Sequence, residues 1–344
     1  LTTALLYQRM AQVPGRGSLA TAAEDYKTEL AVYRMEARGV CLLEDRLGRL
    51  GGRLRGLAND ALVDLRSSGM KGDPNSPRQI ATWLRSEGRV LPLTDKGNPS
   101  TSKVVLNGMR DSGDHYAALI LEWRRLTKMV SAFVDPLPKL AIDGMLYPEV
   151  KTCRTKTGRF SYAVPNLQQI PKRGGSLAMD FRRCFTGASG SVSGADYSQV
   201  ELRVAAALAG EPVLLEAFAQ GRDPHTEVAA KMLGKAVPDI SPQERFGAKV
   251  INFGILNGMG ARRLASELKA TKVEAQRFLD EYRRSMPALT YWMEGIWRDA
   301  EADMLARTAA GRTRVFGPGE GTRSAISVIV QGTAAELMRQ ALVA

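Results

Sequence analysis

R-F-G-A-K-V-I-N-F-G, residues 245–254, sets Arg245, Lys249 and Phe253 four positions apart. On a helix each step of four turns a side chain by only about 40° from the one before, so two cations and an aromatic ring share one face. Such a face suits a polyanion lying beside a flat ring. Upstream, D-Y-S-Q-V-E-L-R at residues 196–203 places Asp196 after a run of small residues, G-A-S-G-S-V-S-G-A. That run reads as a strand edge or turn, and the residues after it read as a helix carrying Glu201 and Arg203. Phosphates, a metal ion and a nucleobase are the guests these groups suit.

Composition points the same way. The 344 residues suit two or three compact units, and a hydrophobic fraction of 44% is ordinary for a protein with a sizeable core. Forty-eight Lys and Arg against 36 Asp and Glu give a formal charge of +12, which favours an acidic partner such as nucleic acid. Cys41, Cys153 and Cys184 lie far apart without C-x-x-C spacing, so buried free thiols are expected rather than a zinc site or disulfide framework. No apolar run reaches membrane-spanning length and no charged-then-apolar leader opens the chain, so a cytosol-like compartment is expected. With only His115 and His225, Ser-His-Asp catalysis and multi-histidine metal sites have little raw material. The chemistry must rest on carboxylates and cations.

Along the chain, residues 1–23 contain a Pro-Gly-Arg-Gly break and read as a linker or the tail of an upstream domain. From residue 24 to about 65 the apolar spacing predicts two long helices joined near Gly39. Residues 69–102, rich in Gly, Pro, Asn, Ser and Lys around a short helical run at 80–84, read as an exposed, mobile tip. Helix is expected over 115–137, a strand near 145–150, and nearly continuous helix over 202–309. Strands are expected around Gly311. Gly317, Gly319 and Gly321 lack the strand-loop-helix setting and the lysine of a phosphate loop, so they read as a turn.

The segments at 196–203 and 245–254 resemble motifs A and B of the family A (DNA polymerase I-like) DNA polymerases. T-G-R-F-S-Y-A-V-P-N-L-Q-Q-I-P at 157–171 and V-Q-G-T-A-A-E-L-M at 330–338 resemble two more stretches of that family, in the family's order. Weaker likeness at 35–40 and 133–138 extends the resemblance over nearly the whole chain. It implies an α+β, predominantly helical, right-hand polymerase fold with thumb, palm and fingers, the palm being built on an antiparallel sheet. The expected divisions are 24–140 for the thumb and its base, 141–210 for the first part of the palm, 211–305 for the fingers and 306–344 for the second part of the palm. A further acidic motif of the family, His-Asp-Glu on a hairpin, has no counterpart among the 344 residues. The sequence therefore reads as a fragment with an incomplete palm, expected to be nearly inactive alone.

The resemblance implies template-directed DNA synthesis from deoxynucleoside triphosphates on primer-template DNA, with two Mg2+ ions in the complete enzyme. Asp196 and the carbonyl of Tyr197 would be metal ligands. Arg245 and Lys249 would hold the triphosphate, and Lys249 would also supply a proton to the leaving pyrophosphate. His225 falls where the family places another phosphate contact, although a lone histidine is usually a packed or capping residue. Phe253 would lie against the incoming nucleotide, Glu201 would fill the space a ribose 2′-hydroxyl needs, and Gln199 would sit near the nascent pair. Arg159, Asn166, Gln168, Arg323 and Gln331 would contact primer and template.

The family's F-G-x-x-Y-G is here F-G-I-L-N-G, so Asn257 stands where a stacking tyrosine is usual, and altered fidelity is expected. A single-subunit RNA polymerase shares much of this chemistry, but Glu201 and Phe253 argue for deoxynucleotides. A noncatalytic nucleic-acid-binding derivative is the alternative of a different class. A monomer with no membrane partner is expected, in the cytosol of a bacterial or phage-infected cell or in an organelle.

Overall fold

The computed structural model describes residues 19–172 and 175–344. The expected linker over 1–23 therefore lies mostly outside the described residues, and helix already begins at Leu19. In chain order the elements begin with α1 (Leu19–Arg38), β1 (Val40–Leu42), α2 (Glu44–Ser67), α3 (Pro77–Ser86), α4 (Lys103–Asp111) and α5 (His115–Met129). A π-helical turn, Val130–Val134, leads to α6 (Leu137–Leu140), β2 (Met145–Leu146), β3 (Glu149–Lys151), β4 (Ser161–Ala163), α7 (Gly175–Arg182) and β5 (Phe185–Thr186). Then come α8 (Val200–Ala209), α9 (Pro212–Ala219), α10 (Pro224–Leu233), α11 (Pro242–Leu256), α12 (Ala261–Leu268), α13 (Lys272–Ser285) and α14 (Pro287–Asp303). The hairpin β6 (Leu305–Arg307) and β7 (Thr313–Val315) precedes α15 (Ala325–Val343). The fold is α+β and mostly helical.

Internal packing separates two compact units. One holds residues 36–149 and 162–193. Its core is set by the stripe Leu47, Leu50, Leu54, Ala61 and Leu65 on α2, spaced three, four or seven apart and packed on Ile120, Trp123 and Leu126 of α5. A three-stranded antiparallel sheet, in the order β2-β1-β5, pairs Val40 with Leu146 and Leu42 with Phe185.

Two local expectations change here. The junction near Gly39 holds a strand as well as a turn: Gly39 has φ +65°, and a Cβ there would come within 2.7 Å of the Leu146 carbonyl oxygen. Only glycine combines that backbone with so close an approach, and the β-prone Val-Cys-Leu that follows joins the sheet. The supposed mobile tip holds helix α3, capped by Ser76 with Pro77 in its first turn, and its Ile80, Ala81, Trp83 and Leu84 are buried. Polar composition on either side masked an amphipathic turn. The three cysteines are free, but only Cys184 is buried; Cys41 is half-buried and Cys153 exposed.

The second unit holds the described residues up to Met35, residues 150–161 and residues 194–344. Its main core gathers Leu202, Ala205 and Ala206 of α8, Ile251 and Ile255 of α11, Leu279 and Tyr282 of α13, and Ile326 and Val330 of α15. A partly buried ionic network ties distant parts of this unit together. Arg339, 3% exposed, meets Asp25 at 3.0 Å and donates to the carbonyls of Thr152 and Gly158. Arg312 forks onto the same Asp25 carboxylate at 2.6 and 3.0 Å and stands 3.5 Å from Glu336, which accepts from the Thr308 hydroxyl at 2.6 Å.

Among the described residues no helix is long and apolar enough to cross a membrane.

Candidate nucleotide site

Helix α11 carries the site. Ser241 and Glu244 close a reciprocal capping box around its first turn, and Pro242 occupies that turn, so the start of the helix is fixed by local chemistry. One side of α11 buries Ala248, Ile251, Asn252 and Ile255 in the core, which leaves Arg245, Lys249 and Phe253 on the other. Arg245 and Lys249 are exposed and Phe253 is half-buried, as their spacing predicts.

A groove of about 490 Å³ opens along this face, lined by Phe246, Lys249, Phe253, Asn257 and Arg263 among others. Phe246, 55% exposed, was not among the expected site residues. Its signal was available in sequence: it lies seven positions before Phe253, about two helical turns, so the two rings bracket Lys249 on one stripe.

Arg245 forks onto Asp223, with Nε and Nη2 donating to the two carboxylate oxygens at 2.8 and 3.0 Å. Asp223 also caps α10, accepting from the Thr226 N–H and hydroxyl. Partial burial would raise this carboxyl, but the Arg245 guanidinium and the Thr226 donors outweigh it and hold it at about 2. Arg245 is thereby held in place with Nη1 left for a further acceptor. Lys249 has no hydrogen-bond or ion-pair partner among the described residues.

His225, expected at a phosphate, is 3% exposed. Asp223 caps α10 and Pro224 opens it, so His225 falls at the next position and turns into the core. There its Nδ1 pairs with Asn252 Nδ2 at 3.0 Å, and its ring lies 5.6 Å from that of Phe253. Burial lowers its pKa, an effect that Arg245 and Lys249 reinforce and Asp223 opposes. The folded state thus binds the proton more weakly than the unfolded chain, whose imidazole titrates near 6.5. Below that pH the unfolded chain takes up more protons and stability falls. Urea melts from pH 8 to 5 are expected to show stability declining below about pH 6.5, with the decline reduced in His225→Gln.

Asn257 ends α11. Its Nδ2 donates to the Phe253 carbonyl at 2.7 Å and its Oδ1 accepts from Gln331 Nε2 of α15 at 3.0 Å. Arg323 is exposed, and its carbonyl accepts from Trp297 Nε1 at 3.4 Å. Glu201, in the first turn of α8, pairs with Arg159. Gln199 just before α8 has φ +53°, and its Oε1 is buried without a hydrogen-bond partner among the described residues.

Asp196 and Tyr197 are exposed and lie in an irregular segment that enters α8, which itself packs on α11. Of the two readings, strand edge or turn, the run takes the second: a turn at 188–189 follows β5 and no strand reaches Asp196. The small residues before Asp196 offer neither alternation nor β-branched side chains beyond Val192. No group of three or more His, Cys, Asp or Glu able to hold a metal occurs among the described residues. The Asp196 carboxylate and Tyr197 carbonyl are hard oxygen donors of the kind that divalent cations such as Mg2+ take. Asn166 and Gln168 belong to the other unit, where the Asn166 carboxamide caps a short 3-10 turn by accepting from the Gln168 N–H.

The profile of DNA polymerase family A matches residues 50–344. The chain belongs to DNA polymerase family A. Family relatives include the thermostable DNA polymerase I of Thermus filiformis, 37% identical over 90% of this chain and 39% of the relative. That of Thermus thermophilus is 36% identical over 99% of this chain and 43% of the relative. DNA polymerase I of Pseudomonas aeruginosa is 32% identical over 98% and 39%. The chain thus spans about two-fifths of the length of these family A relatives. Among solved structures, the POL domain of Pol1 from M. smegmatis, in complex with DNA primer-template and dNTP, superposes with a TM-score of 0.82 at 25% identity, covering 93% of this chain and 59% of that one. The family A polymerase fold expected from the motifs is the fold observed.

Proposed function

We propose that this chain is the nucleotide-selecting part of a template-directed DNA polymerase, joining deoxynucleoside triphosphates to a primer 3′-hydroxyl with release of pyrophosphate. The observation that carries the reading is the α11 face. An unpartnered Lys249 and the rings of Phe246 and Phe253 line one groove of nucleotide dimensions, and the anchored Arg245 stands one turn before Lys249 on the same helix.

Lys249 and the Nη1 group of Arg245 would take the triphosphate, and Phe253, backed by the neutral His225 ring, would lie along the sugar and base. His225 would act from behind the ring, with Asn252 holding its orientation. Glu201, held by Arg159, would narrow the space beside the sugar against a 2′-hydroxyl. Gln199, Asn166, Gln168, Arg323 and Gln331 would each be of the type that contacts primer or template. Asp196 and the Tyr197 carbonyl would hold Mg2+, which when bound neutralises charge on the phosphate oxygens. The divisions 24–140, 141–210, 211–305 and 306–344 would serve as thumb and base, palm, fingers and palm. The partners would be primer-template DNA and deoxynucleoside triphosphates, with the protein acting as a monomer in the bacterial cytosol.

A two-ion reaction needs a second carboxylate beside Asp196, so the 344-residue chain should extend a primer far more slowly than the full gene product. Primer extension by both tests this. Templated incorporation by the full product is expected, and its absence would favour a noncatalytic nucleic-acid-binding role. In the full product, Asn257→Tyr should release Gln331 and restore a stacking ring, changing misincorporation several-fold. Equal error frequencies for the two proteins would argue against a role for Asn257 in pair checking.

A further inference from the structure

We propose a second phosphate-binding site, made by arginines on the other unit, that takes the backbone of a nucleic-acid strand. Arg46, Arg49 and Arg53 lie at positions i, i+3 and i+7 of α2 and so share one face. Together with Leu50, Asp180 and Arg183 they line an open pocket of about 280 Å³. Four guanidinium groups there face one carboxylate.

Their mutual arrangement is partly fixed. Arg53 meets Asp180 Oδ2 at 3.2 Å, Arg183 stands 3.5 Å from Oδ1 of the same carboxylate, and Arg46 donates to the Arg183 carbonyl at 2.9 Å. Arg49 has no hydrogen-bond or ion-pair partner among the described residues. Four cations held around one carboxylate repel one another, and a multiply charged anion relieves that repulsion. The guanidinium fork, which matches phosphate oxygens two at a time, makes phosphate the fitting anion.

The remaining lining tells which phosphate. Leu50 supplies a small apolar floor and no aromatic ring lines the pocket, so nothing there would stack a base. Its volume falls below that of ordinary small-molecule sites. The three α2 arginines span about 10 Å along the helix axis, at roughly 1.5 Å per residue. That reach is long enough to meet more than one phosphate of a single strand. Contacts of this kind hold a strand without reading its sequence. The inference rests on the reading that the protein handles DNA, and adds a contact remote from the α11 groove in sequence and in unit.

The test is binding of a single-stranded oligothymidylate and, separately, of inorganic tripolyphosphate, titrated across salt concentrations. Arg46→Ala/Arg49→Ala/Arg53→Ala is compared with wild type and with Arg277→Ala/Arg284→Ala/Arg298→Ala, which removes equal charge from exposed positions elsewhere. The pocket variant should weaken oligonucleotide binding tenfold or more and lower the salt slope by about 2, at roughly 0.7 per single-strand phosphate contact, whereas the control should change little. Asp180→Asn, which removes the only carboxylate lining the pocket, should tighten binding. Equal behaviour of the pocket and control variants, or no tightening by Asp180→Asn, overturns the site. An effect on tripolyphosphate without one on the oligonucleotide overturns the nucleic-acid assignment. Primer extension by the full gene product separates the two readings. Extension with an unaltered pocket variant sinks this site alone, whereas oligonucleotide binding through the pocket without any extension sinks the polymerase reading.

Discussion

Arg339→Ala is expected to lower the stability of its unit by about 3–5 kcal/mol, the range for breaking a buried ion pair from one side. The guanidinium is 3% exposed and serves Asp25, two backbone carbonyls and, at 4.9 Å, the face of the Phe160 ring. Removing it leaves the Thr152 and Gly158 carbonyls without these donors and Asp25 with Arg312 alone. The Thr152 carbonyl is buried, where an unmet polar group keeps its full desolvation penalty, whereas Gly158 and Asp25 are half-buried and lose less. Calorimetry should show the melting transition lowered by roughly 6–20 °C, at about 2–4 °C per kcal/mol for a body of this size. Arg339→Lys should recover only part of the loss, because one ammonium cannot reproduce the planar fork that reaches a carboxylate and two carbonyls together. A shift under about 2 °C in Arg339→Ala would show that the network contributes little.

The same change should reach the site through the backbone. Gly158, whose carbonyl Arg339 holds, precedes Arg159, which pairs with Glu201 at the start of α8. The ionic network and Glu201, proposed above to select the sugar, are thus linked through one short segment, residues 150–161.

Lys249→Ala is expected to weaken deoxynucleoside triphosphate binding about 10- to 100-fold, from roughly 1.5–3 kcal/mol for hydrogen bonds to a charged group. Lys249 is the cleaner test of the two cations because it holds no partner that the substitution would orphan. Arg245→Ala would also free Asp223, whose carboxyl is held at about 2 largely by that guanidinium, and so mixes lost attraction with a newly unpaired carboxylate facing the triphosphate. Equilibrium titration with a nonhydrolysable triphosphate should separate them. Lys249→Arg should keep most of the affinity, and Arg245→Lys should keep less, because it loses the fork onto Asp223.

The α11 site was legible because its determinants are local. S-P-Q-E announces the helix start, and a four-residue repeat fixes a face wherever that helix packs. The fold was legible for a similar reason, since the helix periodicities of α2, α5 and α11 and the four ordered motifs lie in contiguous sequence. The ionic network was not, because Asp25, Arg312, Glu336 and Arg339 come from opposite ends of the chain and no period connects them. Which way His225 faces was not legible: the Asp-Pro cap before it sets the helix phase, and only the packing of α10 on α11 shows that this phase points inward. Phe246 carried a sequence signal in its seven-residue spacing from Phe253, but only the groove beside it gives that spacing a meaning.

The most direct test of the central claim, that the α11 face holds a templated deoxynucleoside triphosphate, is equilibrium binding of the four nucleotides to the protein on a primer terminated with a 3′-dideoxynucleotide. Bond formation is blocked there, so the result does not depend on how fast the chain catalyses. Tighter binding of the nucleotide complementary to the template base is expected, with loss of that binding in Lys249→Ala. Equal affinity for all four nucleotides, or binding untouched by the loss of Lys249, would contradict it.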